Sequence, residues 1–460
     1  MMRSRRTSPR AGGAPLAATT LLLLAVAACG SPALRAAEQG DAAKLRAEIA
    51  SKHDKGKLSN DEAADLARAV AEREISTAKD ESTALARLRE TRACAAELDD
   101  ALEARMKKRD AAGAEAALSR LEDGKLGEGD AREWLDDADD RWRAVATRTL
   151  HRDDDRKRRQ AAIVDPSPRV RRSAIRAAAT AKDATDLDLL FETARVDPDP
   201  LLRNEALRSM SAIVRGLEDA ARPRAAELAV RLRDLWTSGD DALKEDVAVA
   251  WALAPVFDNG GREALRVAVS NGKGPGAIAA AGVVTRTARK DAELMTSATA
   301  LLARTIVDGS RRDRLHALRG PHRERVVLDA VRKAAEDDDR EVKVAALARL
   351  LDSPPDREAA KKALYAIAGY GVKGFGGKAD DARALEHAAR ARHALASAGE
   401  LRVQAWIEQD LAASEPQRKT AAASALAALG RPARAAPLLA DPDPSVRTRV
   451  ACTMMMASRR

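Results

Sequence analysis

Several stretches of the 460-residue sequence carry residue types that could do chemistry. Gly369 to Lys378 reads GYGVKGFGGK, in which Gly369, Gly371 and Gly374 fit GxGxxG and a lysine follows. Glycines so spaced let backbone N–H groups close on a phosphate, provided a strand precedes them and a helix follows. The preceding AAKKALYAIA is alanine-rich and helical in pattern, so the stretch reads as a loop between helices rather than a nucleotide cradle. Tyr365, Tyr370 and Phe375 gather there, which suits a binding loop. His316 with His322, and His387 with His393, lie six residues apart, whereas two ligands to one metal on a helix fall at i, i+4. HExxH, GxSxG and CxxC do not occur. The sequence therefore implies no cofactor, no metal and no set of catalytic residues.

The N-terminus carries a different chemistry. Arg3, Arg5, Arg6 and Arg10 precede the apolar run Leu16–Ala28, the pattern of a secretory signal peptide over residues 1–28. Thirteen residues are too few for a membrane span of roughly 20. The run ends VAAC at Val26–Cys29, which resembles the bacterial lipobox, and that resemblance implies diacylation of Cys29, with residues 29–40 as a tether. Removing residues 1–28 takes away four arginines and no acid, so the formal net charge falls from +9 to +5. Such a slight excess, spread along the chain, argues against a nucleic-acid partner, which selects a concentrated basic patch. The other cysteines, Cys94 and Cys452, lie far apart in sequence, and at opposite ends of an elongated array they would not bridge.

The elements that position these residues are written in a repeat. DPSPRVRRSA begins at Asp165, DPDPLLRNEA at Asp197 and DPDPSVRTRV at Asp441. Counting the Asp as position 1, an aliphatic residue stands at 6, Arg at 7 and a small residue at 10. Degenerate copies begin at Asp137, Asp308 and Asp337, with weaker traces near Ser238, Asp380 and Ala412. Proline at positions 2 and 4 cannot continue a helix but is tolerated in the first turn of the next. The following helix carries an apolar stripe, Val170, Ala174, Ile175 and Ala178 in the first copy. Upstream segments such as Leu187–Val196 and Arg431–Ala440 supply a partner helix. Each unit is thus a helical hairpin too small to bury its own stripe, and hairpins must stack. Aromatics at 2% and charges at 33% suit thin layers of closely packed helices with solvated faces. The predicted fold is all-α, an α-solenoid of antiparallel hairpins.

The unit resembles the HEAT family of helical repeats, in the short bacterial form with DPxPxVRxxA at the turn, over residues 125–460 and weakly between Leu243 and Val307. The resemblance implies a structural ladder of turn Asp and Arg six residues later, running between neighbouring repeats. Its members here are Asp137 and Arg143, Asp165 and Arg171, Asp197 and Arg203, Asp308 and Arg314, and Asp441 and Arg447. Lys343 departs from it, lacking the planar fork of Arg. Residues 41–124 lack the DPxP turn but are helical in pattern, as in SNDEAADLARAVAEREI from Ser59, and read as an N-terminal helical region or cap. DDDRKRR from Asp153 reads as a solvated helix end and loop.

Position 12 of the unit lies opposite the apolar stripe. It is Arg148, Arg176 and Arg208 in successive units, and Ala348 and Cys452 in later ones. Stacking aligns the three guanidinium groups as a surface for an acidic peptide or protein. The sequence as a whole predicts an exported, lipid-anchored scaffold or protein-binding module of a bacterial cell envelope, and not an enzyme. The alternatives are a solenoid enzyme of the HEAT-like lyase or base-excision type, and an envelope structural protein.

Overall fold

The computed structural model describes residues 31–53, 55–216, 222–320, 322–372 and 381–459. Residues 1–28, read as a signal peptide, and Cys29 lie outside these residues. Among the described residues every regular element is a helix, and the helices alternate between two layers.

The DPxP turn explains the alternation. Asp197 ends the helix Leu187–Val196, Asp199 caps the next by accepting the Leu201 N–H, and Pro200 occupies its first turn. Asp443 and Pro444 repeat the arrangement, Asp443 accepting from the Ser445 N–H. The first Asp of each turn also fixes the bend, because Asp165, Asp197 and Asp441 accept the backbone N–H two residues on at 2.7, 2.9 and 2.9 Å. Position 6 then points inward: Val170, Leu202 and Val446 are buried.

Among the described residues, twelve helices of one layer pack in an unbroken circuit. In chain order they are α1 (Glu81–Thr91), α2 (Ala111–Glu122), α3 (Asp140–Thr147), α4 (Pro168–Ala181), α5 (Pro200–Val214), α6 (Asp241–Trp251), α7 (Gly274–Thr287), α8 (Arg311–Ala317), α9 (Arg340–Leu350), α10 (Ala382–Ser397), α11 (Pro416–Ala428) and α12 (Pro444–Ser458). Each packs on the next, and α12 returns to α1, so the solenoid is a closed ring. Side chains of helices two and three places apart meet across one face of this layer, as Arg176 of α4 does with Glu122 of α2. That face is therefore the concave interior. The remaining helices clothe the outside, and one continuous apolar core runs between the layers from Ala33 to Met455, with a satellite around Trp142.

Closure falls between helices distant in sequence. The helix Asn60–Ser76, capped by Ser59 through the Glu62 N–H at 3.1 Å, packs along α12. Polar contacts hold the seam: Arg447 to Glu74 at 2.9 Å, Ser445 to Glu90, Arg459 to Glu97, and Arg46 to the Ala440 carbonyl at 2.8 Å. Cys94 and Cys452 form a disulfide there, their Cα atoms 5.5 Å apart across 358 residues of sequence. This corrects the sequence-based expectation that they would not bridge. An elongated array would have parted them, but curvature summed over the repeats brings them together.

Two other expectations are corrected. Residues 32–39, read within the tether, form a helix with Ala33, Ala36 and Ala37 buried against Ala42–His53 and Asn60–Ser76. Alanines at helical spacing give that short segment a flat face that docks closely. The run DDDRKRR is not wholly solvated: Asp155 and Arg159 are buried, Arg159 pairing with Asp186 at 2.6 Å and Asp155 with Arg132 at 2.9 Å.

Breaking the clasp should cost stability, because it constrains a very long loop of the unfolded chain. Cys94→Ser, or reduction, should lower the unfolding free energy by about 3–5 kcal/mol in denaturant titration. Equal midpoints with and without reductant would show that the clasp does not form.

Candidate functional site

The repeat arginines sit at the start of each inner helix, one turn in from the cap, which places the guanidinium over the preceding turn. Arg171 donates through Nη1 to the Asp165 and Pro166 carbonyls at 2.9 and 3.0 Å, and through Nε to Asp197 of the next unit at 2.8 Å. One fork thus ties a turn to its neighbour. Arg203 does the same, reaching the Asp197 carbonyl and Asp240, both at 3.3 Å. Arg447 reaches the Asp441 carbonyl at 2.6 Å and, across the seam, Glu74. Glu74 therefore stands where the next unit's Asp would be, although no DPxP turn announces it.

Other positions differ. Arg143 bonds its own turn, to the Asp137 and Ala138 carbonyls at 2.8 and 2.9 Å, while the Asp137 carboxylate takes Arg109. Asp308 is exposed and outside the ladder, because the cap of α8 is Ser310; Arg314 turns instead to the Ile306 carbonyl and to Asp337. Asp441 receives Lys419 at 2.7 Å. A second set of links lacks any sequence signature: Arg159 with Asp186, and Arg392 with Asp410, all four side chains buried. Arg392 also holds the Ala368 and Tyr370 carbonyls at 2.8 Å, closing the end of the helix Arg357–Ala368. That helix leads into the glycine stretch, so no strand precedes it; residues 373–378 lie outside the described residues.

The position-12 arginines do line up on the interior, but two of them are already engaged. Arg176 pairs with Glu205 at 2.9 Å and Glu122 at 3.3 Å, and Arg208 with Asp246 at 3.0 Å. Burial pushes the Asp246 carboxyl up against the pull of Arg208. Arg148 is different. Its Nη1 donates to the Thr180 hydroxyl at 3.2 Å, its buried Nε has no partner, and no carboxylate is in ion-pair range among the described residues. Burial lowers its pKa against the pull of Glu122, and Arg176 nearby adds to the fall.

These arginines border two contiguous cavities of the interior, which share Arg92, Arg148 and Arg176. One, of about 510 Å³, is enclosed by α1 to α4; the other, about 420 Å³, opens toward α5. Eight arginines face four carboxylates over the two. At position 12 of the last unit stands Cys452, facing Cys94 rather than the cavity. No cluster of His, Cys, Asp and Glu able to hold a metal occurs among the described residues, and no described helix is long and apolar enough to cross a membrane.

No family model and no curated protein sequence matches the chain. Among solved structures it is similar to an engineered protein, at 18% identity and a TM-score of 0.26 over 81% of this chain and 96% of that one. It is also similar to the karyopherin Kap121p, at 14% identity and a TM-score of 0.32 over 95% of this chain and 48% of the other. The chain thus spans about half the length of the karyopherin. At these scores the likeness says nothing about partner or activity.

Two outcomes follow from the links between units. Arg171→Ala should cost about 1–3 kcal/mol, because Asp197 is left buried without its cation, whereas Arg172→Ala, at an exposed side chain, should cost little. Equal melting temperatures would remove the link. The Arg332 and Arg262 guanidinium groups hold the carboxyls of Asp356 and Asp291 below the usual range. A depressed carboxylate stabilises the fold above its unfolded pKa, about 3.9, and that contribution disappears as pH falls through the folded value. Melting temperature should therefore be flat in this respect above about pH 5 and drop below about pH 4, less steeply in Asp356→Asn.

Proposed function

We propose that the chain is an exported, lipid-anchored scaffold of the HEAT-like kind, which holds a protein partner on the inner face of its ring. The observation that carries this reading is the closed circuit of inner helices, which gives a continuous concave surface fixed by links between units. Arg148, Arg176 and Arg208 lie on that surface, and the arginine excess around them favours an acidic segment of the partner. Export is supported by the signal-peptide pattern and by the disulfide at the seam, since such bonds persist in oxidising compartments and are rare in the cytosol. The lipobox-like VAAC supports an anchor at Cys29.

Two experiments test the reading separately. Cys29→Ser should leave the protein unprocessed or release it from the membrane fraction; unchanged mass and retention would remove the anchor. A photocrosslinking side chain at Arg208 should capture one defined envelope protein in intact cells, and the same group at the exposed Val196 should not. Capture that is equal from both positions, or absent from both, would remove the inner face as the partner surface.

A further inference from the structure

The cavity enclosed by α1 to α4 has a charge inventory that the rest of the interior does not share. Seven arginines and two carboxylates border it. Arg141, Arg176 and Arg92 are matched by Asp139 at 2.8 Å, Glu205 at 2.9 Å and Glu122 at 3.5 Å. Arg169 and Arg172 stand 3.8 Å from Asp140 and Asp199, beyond hydrogen-bond reach. Arg89 and Arg148 have no carboxylate in ion-pair range among the described residues, and Arg148 is the half-buried one, with its Nε enclosed and unbonded. A half-buried guanidinium whose nearest acids, Glu122 and Glu205, act only from beyond ion-pair range is an incomplete arrangement, which an anionic oxygen entering the cavity would complete.

Apolar side chains alternate with these charges along the same helices. Leu85 of α1, Leu118 of α2 and Val145 of α3 line the cavity, with Ala111, Ala114 and Ala144 between them. Its volume, about 510 Å³, falls in the range of about 300–1,000 Å³ of small-molecule sites. Glu115 in the wall and Glu122 and Glu205 beside the mouth repel additional negative charges, which favours a small ligand with a single anionic group inside the cavity.

We propose that this cavity binds a small organic anion, a single carboxylate or phosphate group seated against Arg148 with an aliphatic or aromatic body on Leu85, Leu118 and Val145. The site shares Arg148 and Arg176 with the partner surface proposed above but needs no protein partner, so titration of the isolated chain tests it separately from capture in cells. Arg148 supplies the fork, fixed through Nη1 by the Thr180 hydroxyl on the side of the neighbouring cavity, and Arg89 and Arg172 add long-range attraction.

Calorimetric titration of the full chain at fixed ionic strength tests it, with octanoate, octyl phosphate, inorganic phosphate and neutral 1-octanol as probes. At least one octyl anion should bind saturably, one per chain, and at least tenfold tighter than 1-octanol and inorganic phosphate. The tighter of the two octyl anions assigns the headgroup. Arg148→Met should weaken it at least tenfold, and Leu118→Asp, which sets a carboxylate among the apolar side chains, should do the same by an independent route. Arg195→Met, an exposed outer arginine, should bind as wild type does. Melting curves check that each variant is folded. The proposal fails if neither octyl anion saturates, if 1-octanol or inorganic phosphate binds as tightly, or if folded Arg148→Met or Leu118→Asp binds unchanged.

Discussion

The packing of α12 against Asn60–Ser76 and α1 is the contact on which the rest of the architecture depends. An open solenoid has two terminal hairpins whose stripes face water and must be covered by polar caps. Here each inner helix has a neighbour on both sides, so the circuit of inner helices has no free end. The seam uses the same chemistry as the interior joints: Arg447 treats Glu74 as the acid of a following repeat. The region without DPxP turns is thus a structural continuation of the array rather than an appendage to it. The disulfide adds a covalent tie at the one joint whose partners are not close in sequence.

Arginine is used here for geometry as much as for charge. A planar fork can satisfy a carbonyl of its own turn and a carboxylate of the next unit at once, which a lysine ammonium cannot match in direction. Lys419, which replaces it before Asp441, makes only the carboxylate contact. Between these polar joints the core is mostly Ala, Leu and Val, so the layers lie close and small errors in angle are not absorbed by large side chains. The joints set the angle, and the thin core transmits it.

The local features were legible because each depends on residues a few positions apart. The DPxP cap, the inward Val170 and Leu202, and the Ser59 cap all belong to this class. The links from Arg171 and Arg203 were suggested by the resemblance, and their lattice of carbonyl and carboxylate acceptors became visible only in three dimensions. Arg159 with Asp186 and Arg392 with Asp410 had no recurring register to betray them, and Arg159 sits in a run whose density of charge looks solvated. The alignment of Arg148, Arg176 and Arg208 followed from position counting, but their counter-ions come from other helices, so counting could not separate the matched arginines from the unmatched one. Closure was the least legible feature. It is the sum of many small rotations, none of which is encoded at a single residue.

A ring has a fixed number of members. Twelve inner helices complete one full turn, about 30° each, so the angle at every joint is tied to the total. An array with free ends can lengthen by duplicating a hairpin and shorten by losing one, at little cost to the remainder. In this chain either change would reopen the seam and part Cys94 from Cys452, unless every other joint readjusted. A change in repeat number therefore acts on the whole circuit at once rather than on one end of it.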